Sequence, residues 1–287
     1  MSAVALDDVA GSYAENGYCF PVDVFDEERA ASYRRRLEQL ERKIAGAKVG
    51  NKDQLNYPHV IFSFANEIVR SPSVLDAVER VLGPNILVWG STFFIKEAGS
   101  RSYVSWHQDL RYWGLQDHEG MVSAWLALSP VTRANGCMRF FKGSHKSGLL
   151  SHKDTFDKEN FLTRGQEAIV EIDEAGCVDV ELRPGQMSLH HGLLLHSSRP
   201  NYSEERRIGL VINFITPQNR QVVGRKDYAA LVRGEDRFRH FELVPPPEED
   251  LAPESLHWHE KILSAQNEAL YAEAAEPRAE EPQTGAG

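Results

Sequence analysis

The sequence predicts a mainly β fold with flanking helices, a sandwich or barrel, on three observations. Seven short apolar runs follow one another between residues 85 and 215. Gly, Pro and Asn separate them, as at Asn135-Gly136 and in Arg183-Pro184-Gly185-Gln186. No helix-length apolar period lies between consecutive runs, which argues against alternating strand–helix–strand units. The 287 residues suit one large domain, because sandwiches and barrels run to about 200–250 residues as a single unit.

Residues 1–25 read as a lead-in with a short strand at Tyr18-Cys19-Phe20-Pro21-Val22. Asp26 is placed to cap a helix, with Glu27 and Glu28 in the first turn, where carboxylates meet the positive end of the helix dipole. Tyr33, Leu37, Leu40 and Ile44 recur at helical spacing, so a helix is expected over 27–47 with a charged face in water. Ser71-Pro72 and Leu82-Gly83-Pro84 bracket a second helix, since Pro is tolerated in the first turn and Gly just past the last. Strands are expected at 85–96, 103–110, 122–128, 138–141, 178–182, 187–195 and 208–215. The polar stretch 145–176, rich in His and Lys, reads as a long loop; loops of that length inside a domain are usually functional, often as a lid. Pro245-Pro246-Pro247 precedes a helix over 253–275 and an acidic tail whose composition predicts disorder. The expected division is a single domain over 1–250, followed by the helix and tail over 251–287.

A net charge of −10 with no basic stripe argues against nucleic acid as a partner. The three cysteines, Cys19, Cys137 and Cys177, are scattered and odd in number, so no disulfide framework is expected and a reducing cytoplasm is the simplest home. The start of the chain lacks the basic and apolar pattern of a secretion signal, and no apolar run is long enough to span a bilayer.

The chemistry centres on His107-Gln108-Asp109. On a strand, alternate side chains share a face, so an imidazole and a carboxylate two positions apart stand about 7 Å apart at their Cα atoms and can converge on one metal ion. A second histidine would complete a two-histidine, one-carboxylate triad, the ligand set of non-haem Fe(II) oxygenases. Eleven histidines are available. His196 is favoured because it ends an apolar run and opens into Ser197-Ser198-Arg199-Pro200-Asn201; His191, five positions earlier, falls on the other strand face unless a bulge intervenes. Arg207 begins the next strand, where a hairpin would set it beside the end of the His196 strand. A guanidinium there holds a carboxylate with two parallel hydrogen bonds, the grip needed on the distal carboxylate of 2-oxoglutarate. Arg206 is its rival, on the opposite face.

These residues, together with Asn135-Gly136-Cys137-Met138, Gly143-Ser144-His145, His191-Gly192 and Asn201-Tyr202-Ser203, resemble the phytanoyl-CoA dioxygenase family over about residues 15–220. The resemblance implies a double-stranded β-helix (jelly roll, cupin-like) core and an Fe(II)-dependent dioxygenase that uses 2-oxoglutarate and O2 as co-substrates. It implies His107, Asp109 and His196 as iron ligands, Arg207 as partner of 2-oxoglutarate, and Ser198 and Trp125 as lining of the co-substrate pocket. Halogenating relatives carry Ala or Gly at the acidic position; Asp109 therefore favours hydroxylation. The hydroxylated molecule is expected to be a small polar metabolite, with acyl-CoA, amino acid, phosphonate and natural-product substrates all compatible with the family.

Other residues draw notice. Arg111, Tyr112 and Trp113 follow the triad strand and could face substrate or pack on the sheet. His59 could reach the mouth, His145 is expected to be structural, and His118, His152, His240, His257 and His259 are expected at the surface. The alternative to an oxygenase is a cupin-like metalloprotein with a non-oxidative or ligand-binding role, which has no need of Arg207.

Overall fold

The computed structural model describes residues 2–46, 52–111, 113–223 and 227–271. Helices α1 (Val9–Asn16), α2 (Glu27–Gly46), α3 (Pro58–Ile61), α4 (Ser63–Val69) and α5 (Pro72–Leu82) are joined in sequence by a single strand, β1 (Tyr18–Asp23). The strands β2 (Ile86–Lys96), β3 (Val104–His107), β4 (Met121–Ala127), β5 (Met138–Phe141), β6 (His152–Asp154), β7 (Gln166–Ala168) and β8 (Cys177–Val180) come next. They are followed by β9 (Gln186–His190), β10 (His196–Ser198), β11 (Arg207–Ile215), β12 (Tyr228–Arg233), β13 (Glu242–Leu243) and the helix α6 (Pro253–Tyr271). The large sheet has the order β1-β9-β4-β11-β2-β12-β13, the small sheet β3-β10-β5-β8, and β6-β7 forms a separate hairpin. This is the mainly β architecture with flanking helices that the sequence predicts.

The large sheet has two unlike faces because its strands alternate. On β11, Ile208, Leu210, Ile212 and Phe214 are buried in one cluster with Leu37 of α2, Phe64 of α4 and Val78 of α5. Arg207, Val211 and Asn213 point the other way, into a cavity between the sheets. The same parity sends Val122, Ala124 and Leu126 of β4 to the helices and Trp125 to the cavity. Gly209 fits the cavity face because its missing side chain leaves room for the indole of Trp125. A bulge breaks the register between β2 and β11, where Asn213 pairs with Gly90 but Phe214 with Val88. Trp89, left unpaired, then shares the cavity with Gly90.

Several expected boundaries shift. The lead-in contains α1, whose Val9 and Tyr13 lie one helical turn apart and are buried; Gly17 ends it at φ 81°. Asp26 does cap α2, accepting from the Arg29 amide at 2.7 Å; residue 47 and the Ile44 side chain lie outside the described residues. The expected 187–195 strand ends at His190 as β9, and His196 opens a separate strand, β10, in the other sheet. The chain turns between them, with the Leu194 amide bonded to the His191 carbonyl at 2.8 Å. The 145–176 stretch carries the β6-β7 hairpin. Helices α3 and α4 and strands β12 and β13 were not foreseen. α6 is described to Tyr271; the expected tail at 272–287 lies outside the described residues.

Because Leu37 is fully buried between α2 and the sheet, Leu37→Ala is expected to lower unfolding free energy by about 2–5 kcal/mol in denaturant titration. A loss below about 1 kcal/mol would show that α2 does not rely on this contact.

Candidate metal centre and adjoining cavity

β3 and β10 are antiparallel neighbours, and their register sets His107 directly opposite His196. The two ring centroids are 4.1 Å apart. Nδ1 of His107 lies 2.9 Å from the Ser105 carbonyl, and Nδ1 of His196 lies 2.9 Å from the Leu194 carbonyl. A carbonyl only accepts, so each ring keeps its proton on Nδ1 and presents a bare Nε2. Those two atoms lie 3.3 Å and 3.6 Å from Oδ1 of Asp109. The three donors fall within 4.8 Å of one another. Lone-pair atoms brought this close repel unless a cation, a proton or a metal ion, lies between them. The donor set, two neutral imidazoles and a carboxylate, fits a divalent first-row metal.

Asp109 does not sit on the strand. β3 ends at His107, and Asp109 opens a short 3-10 turn to Arg111. Gln108, fully buried, sets that turn. Its side-chain amide donates to the carbonyls of Gly148 (2.8 Å) and Leu193 (2.7 Å), and its Oε1 accepts from the Leu150 amide (2.8 Å). The second carboxylate oxygen of Asp109 is held separately, by the Ser123 hydroxyl at 3.0 Å and by His190 Nε2 at 3.5 Å. Burial by itself would push the Asp109 carboxyl up; His196, then His107 and His190, outweigh it and hold the group well below the usual carboxylate range. Burial, then the neighbouring His107, keeps His196 well below its ordinary value. Ionised carboxylate and neutral imidazole are the forms that bind a metal.

β10 leads from His196 to Ser198, about 7 Å along the strand, to the other end of the site. Arg207 is there, 1% exposed, its guanidinium 5.3 Å over the Trp125 ring and donating to the Gly136 carbonyl. Its Nε has no partner, and no carboxylate of the described residues pairs with it. Burial lowers its pKa to about 10, so it remains charged at neutral pH. Lys96, the register partner of Arg207 on β2, is equally buried. Its Nζ donates to Ser198 Oγ at 2.7 Å and to the Arg199 carbonyl, and burial, then Arg207, pushes its pKa down to about 6.

One cavity of about 570 Å³ joins the two ends: His107, Asp109, His196, Ser198, Trp125 and Arg207 all line it. Arg207 reaches it across the gap between sheets, not through a hairpin with β10, since β10 and β11 lie in different sheets. Arg206 points outward to Glu41 (2.7 Å) and Glu97 (2.9 Å). Trp113 lines the cavity, Arg111 is half-buried outside its lining, and Tyr112 lies outside the described residues. His59 is buried against Ser91 Oγ at 2.6 Å and does not line the cavity. His145 meets the Ala14 carbonyl at 3.2 Å in a structural position. His259 is buried and His152 half-buried, not at the surface: His152 accepts from the Gln108 amide at 3.1 Å, and His259 meets the Asn56 carbonyl at 2.8 Å. Sequence reading missed Lys96, Ser123, His190 and Asn213. A lone lysine inside the apolar β2 run, and the parity of Ser123 with Trp125, were the available signals.

The family model described as phytanoyl-CoA dioxygenase (PhyH) matches residues 13–209. A probable alpha-ketoglutarate-dependent hypophosphite dioxygenase of Stutzerimonas stutzeri is 25% identical over 236 residues, 75% of this chain and 80% of that protein. A probable phytanoyl-CoA dioxygenase of Caenorhabditis elegans is 27% identical over 218 residues, 67% of this chain and 69% of the relative. Among solved structures, the non-heme monooxygenase ThoJ in its apo form is 34% identical, with TM-score 0.84 over 92% of this chain and 98% of its own. CytC3, at 18% identity and TM-score 0.63 over 87% of this chain and 99% of its own, shares the fold.

Anaerobic calorimetry with Fe(II) is expected to find one tight site, lost in His196→Ala and Asp109→Ala. Ser123→Ala, which leaves that carboxylate oxygen to His190 alone, is expected to weaken the metal about 10–100-fold. Unchanged affinity there would show that the serine plays no part in holding the ligand.

Proposed function

The chain belongs to the phytanoyl-CoA dioxygenase family, and from that membership we propose that it is an Fe(II)- and 2-oxoglutarate-dependent dioxygenase that hydroxylates a C–H bond of a small metabolite. The balanced reaction consumes substrate, 2-oxoglutarate and O2 and releases hydroxylated product, succinate and CO2. The observation that carries this reading is Arg207: a buried guanidinium lacking a carboxylate, in the same cavity as a two-histidine, one-carboxylate triad. A buried cation without a counter-ion is costly and marks a place for an anionic ligand. A non-oxidative cupin-like metalloprotein has no use for it.

In this reading His107, Asp109 and His196 hold Fe(II), and Arg207, Ser198 and Trp125 receive the distal carboxylate of 2-oxoglutarate. The iron, when bound, supplies the coupling of 2-oxoglutarate decarboxylation to O2 reduction and C–H oxidation. The residues supply position. Carbonyl-bonded Nδ1 atoms fix both imidazoles, Ser123 and His190 fix the carboxylate, and Trp125 forms the flat wall on which Arg207 rests. Lys96 holds the Ser198 hydroxyl and, once protonated beside a bound carboxylate, adds positive potential behind it. The two sheets shield the triad from bulk water, as His107 and His196 are 5% and 6% exposed. A cytoplasmic location, with a small molecule and neither nucleic acid nor membrane as partner, accords with three unpaired cysteines and a net charge of −10. Among the described residues no helix is long and apolar enough to cross a membrane.

Anaerobic addition of Fe(II) and 2-oxoglutarate is expected to give a weak visible metal-to-ligand charge-transfer band; folded, iron-loaded protein without it contradicts the reading. Arg207→Lys is expected to raise the 2-oxoglutarate requirement roughly tenfold or more, the effect of losing one charge-assisted hydrogen bond of about 1.5–3 kcal/mol, whereas Arg206→Lys leaves it unchanged. Lys96 gives the affinity a pH dependence. A carboxylate nearby raises its pKa from about 6, so binding near neutral pH takes up a proton. Affinity is therefore greatest below about pH 6 and falls as pH rises through the higher, ligand-bound pKa; Lys96→Met should flatten that profile in calorimetry.

A further inference from the structure

We propose that α6, together with the Asn213 end of β11, forms the substrate-selecting wall, and that it selects an uncharged planar ring compound carrying N–H or O–H donors, not an acyl-CoA thioester or a small oxyanion. This rests on the oxygenase reading above and names the substrate class for it.

The cavity does not stop at the triad. It continues past Trp89 to Leu263, Gln266 and Asn267 on α6. That helix is firmly placed: Ile262 is buried in the main core, and His259 Nε2 meets the Asn56 carbonyl at 2.8 Å. Gln266 donates to Asp227 Oδ1 at 2.7 Å, while Trp89 donates to the other oxygen at 2.6 Å, so one buried carboxyl ties the helix to the cavity floor. Both α6 and Asn213 lie beyond residue 209, where the family match ends. With Val211, they are therefore the part of the described lining that the shared family pattern does not specify.

The chemistry of this wall is neutral. Histidines aside, Asp109 and Arg207 are the charged residues among the described residues that line the cavity. Asp109 belongs to the triad, and Arg207 stands at the Ser198 end. A phosphate, carboxylate or ammonium placed against α6 would lose its hydration and meet no free counter-charge among the described residues, because both oxygens of the Asp227 carboxyl behind the wall are already taken by Gln266, Trp89 and the Tyr228 amide. What the wall offers is carboxamide oxygen. Asn213 donates to Ser123 Oγ at 3.1 Å through Nδ2, which leaves Oδ1 as an acceptor beside Gly90. Gln266 Nε2 is engaged by Asp227, leaving Oε1 as a second acceptor. Trp89 and Trp113, with ring centroids 5.2 Å apart, supply aromatic surface for a flat ring. A donor on the substrate that binds Asn213 is also tied, through Ser123, to the triad carboxylate.

Indole-3-acetamide, a planar ring with two donor groups, is a suitable probe against its charged counterpart indole-3-acetate. Anaerobic holoenzyme loaded with Fe(II) and 2-oxoglutarate is titrated with each, following calorimetric heat and the shift of the charge-transfer band. The amide is expected to bind at least about tenfold more tightly than the acid, with neither octanoyl-CoA nor hypophosphite displacing it. Leu263→Trp, which fills the wall, is expected to cost the amide about tenfold or more. Should that variant not fold, Asn267→Ala at an exposed position of the same helix is expected to cost about threefold. Equal binding of acid and amide, tighter binding of octanoyl-CoA or hypophosphite, unchanged amide affinity in the wall variant, or no amide binding at millimolar concentration overturns the proposal. The band before any probe is added separates the two readings: its absence in the wild type defeats the oxygenase assignment, whereas its presence without amide preference defeats only the substrate class.

Discussion

The pairing of β3 with β10 is the constraint on which the site depends. Antiparallel register places His107 opposite His196, and a slip of one residue would turn one imidazole out of the cavity. The pair is flanked by β5 on the far side of β10, where Phe140 faces His196, so the histidine strand is fixed from both edges. Asp109 is brought to the same point by a turn, and Gln108 holds that turn with three hydrogen bonds to the 148–150 and 193 backbone. The central residue of the triplet thus fastens the scaffold while its neighbours face the cavity.

The opposite wall follows from alternation on a single strand. β11 gives its even-numbered apolar side chains to the helices and its odd-numbered ones to the cavity, so Arg207 and Asn213 stand about 20 Å apart on one face. The two ends differ electrically. Arg207 makes one end cationic without an acid beside it among the described residues, and Lys96 stands ready to be protonated there; Asn213 and α6 make the other end neutral. Burying two cations side by side opposes folding, so Lys96 gives up its proton near neutral pH beside the charged Arg207 and regains it when an anion enters. A dicarboxylate co-substrate at one end and a neutral substrate at the other is the division of labour this arrangement supports.

The strand series, the two long helices and the triad residues were legible because each has a local signature: alternation, caps, and a paired His and Asp. Arg206 and Arg207 were legible only as a question of parity; the structure turns Arg206 outward to Glu41 and Glu97 and Arg207 into the cavity. The break between β9 and β10 was hidden, since Leu193, Leu194 and Leu195 continue the apolar run although they form a buried turn. The α1 helix was hidden by its brevity and by Gly11. Ser123, His190 and Lys96 had no sequence pattern to link them to Asp109 or Ser198, because their contacts join residues distant in the chain. The role of α6 could not be read from periodicity, which says that a helix has an apolar face but not what that face covers.

The most direct test of the account is release of CO2 from carboxyl-labelled 2-oxoglutarate by the Fe(II)-loaded protein in air, measured beside the Asp109→Ala and Arg207→Ala proteins. Iron-dependent CO2 release by the wild type, absent in the first variant and restored in the second only at high 2-oxoglutarate concentration, is the predicted result. Folded, iron-loaded wild type that releases no CO2, or an Asp109→Ala protein that releases it at the wild-type rate, would contradict the assignment of this cavity.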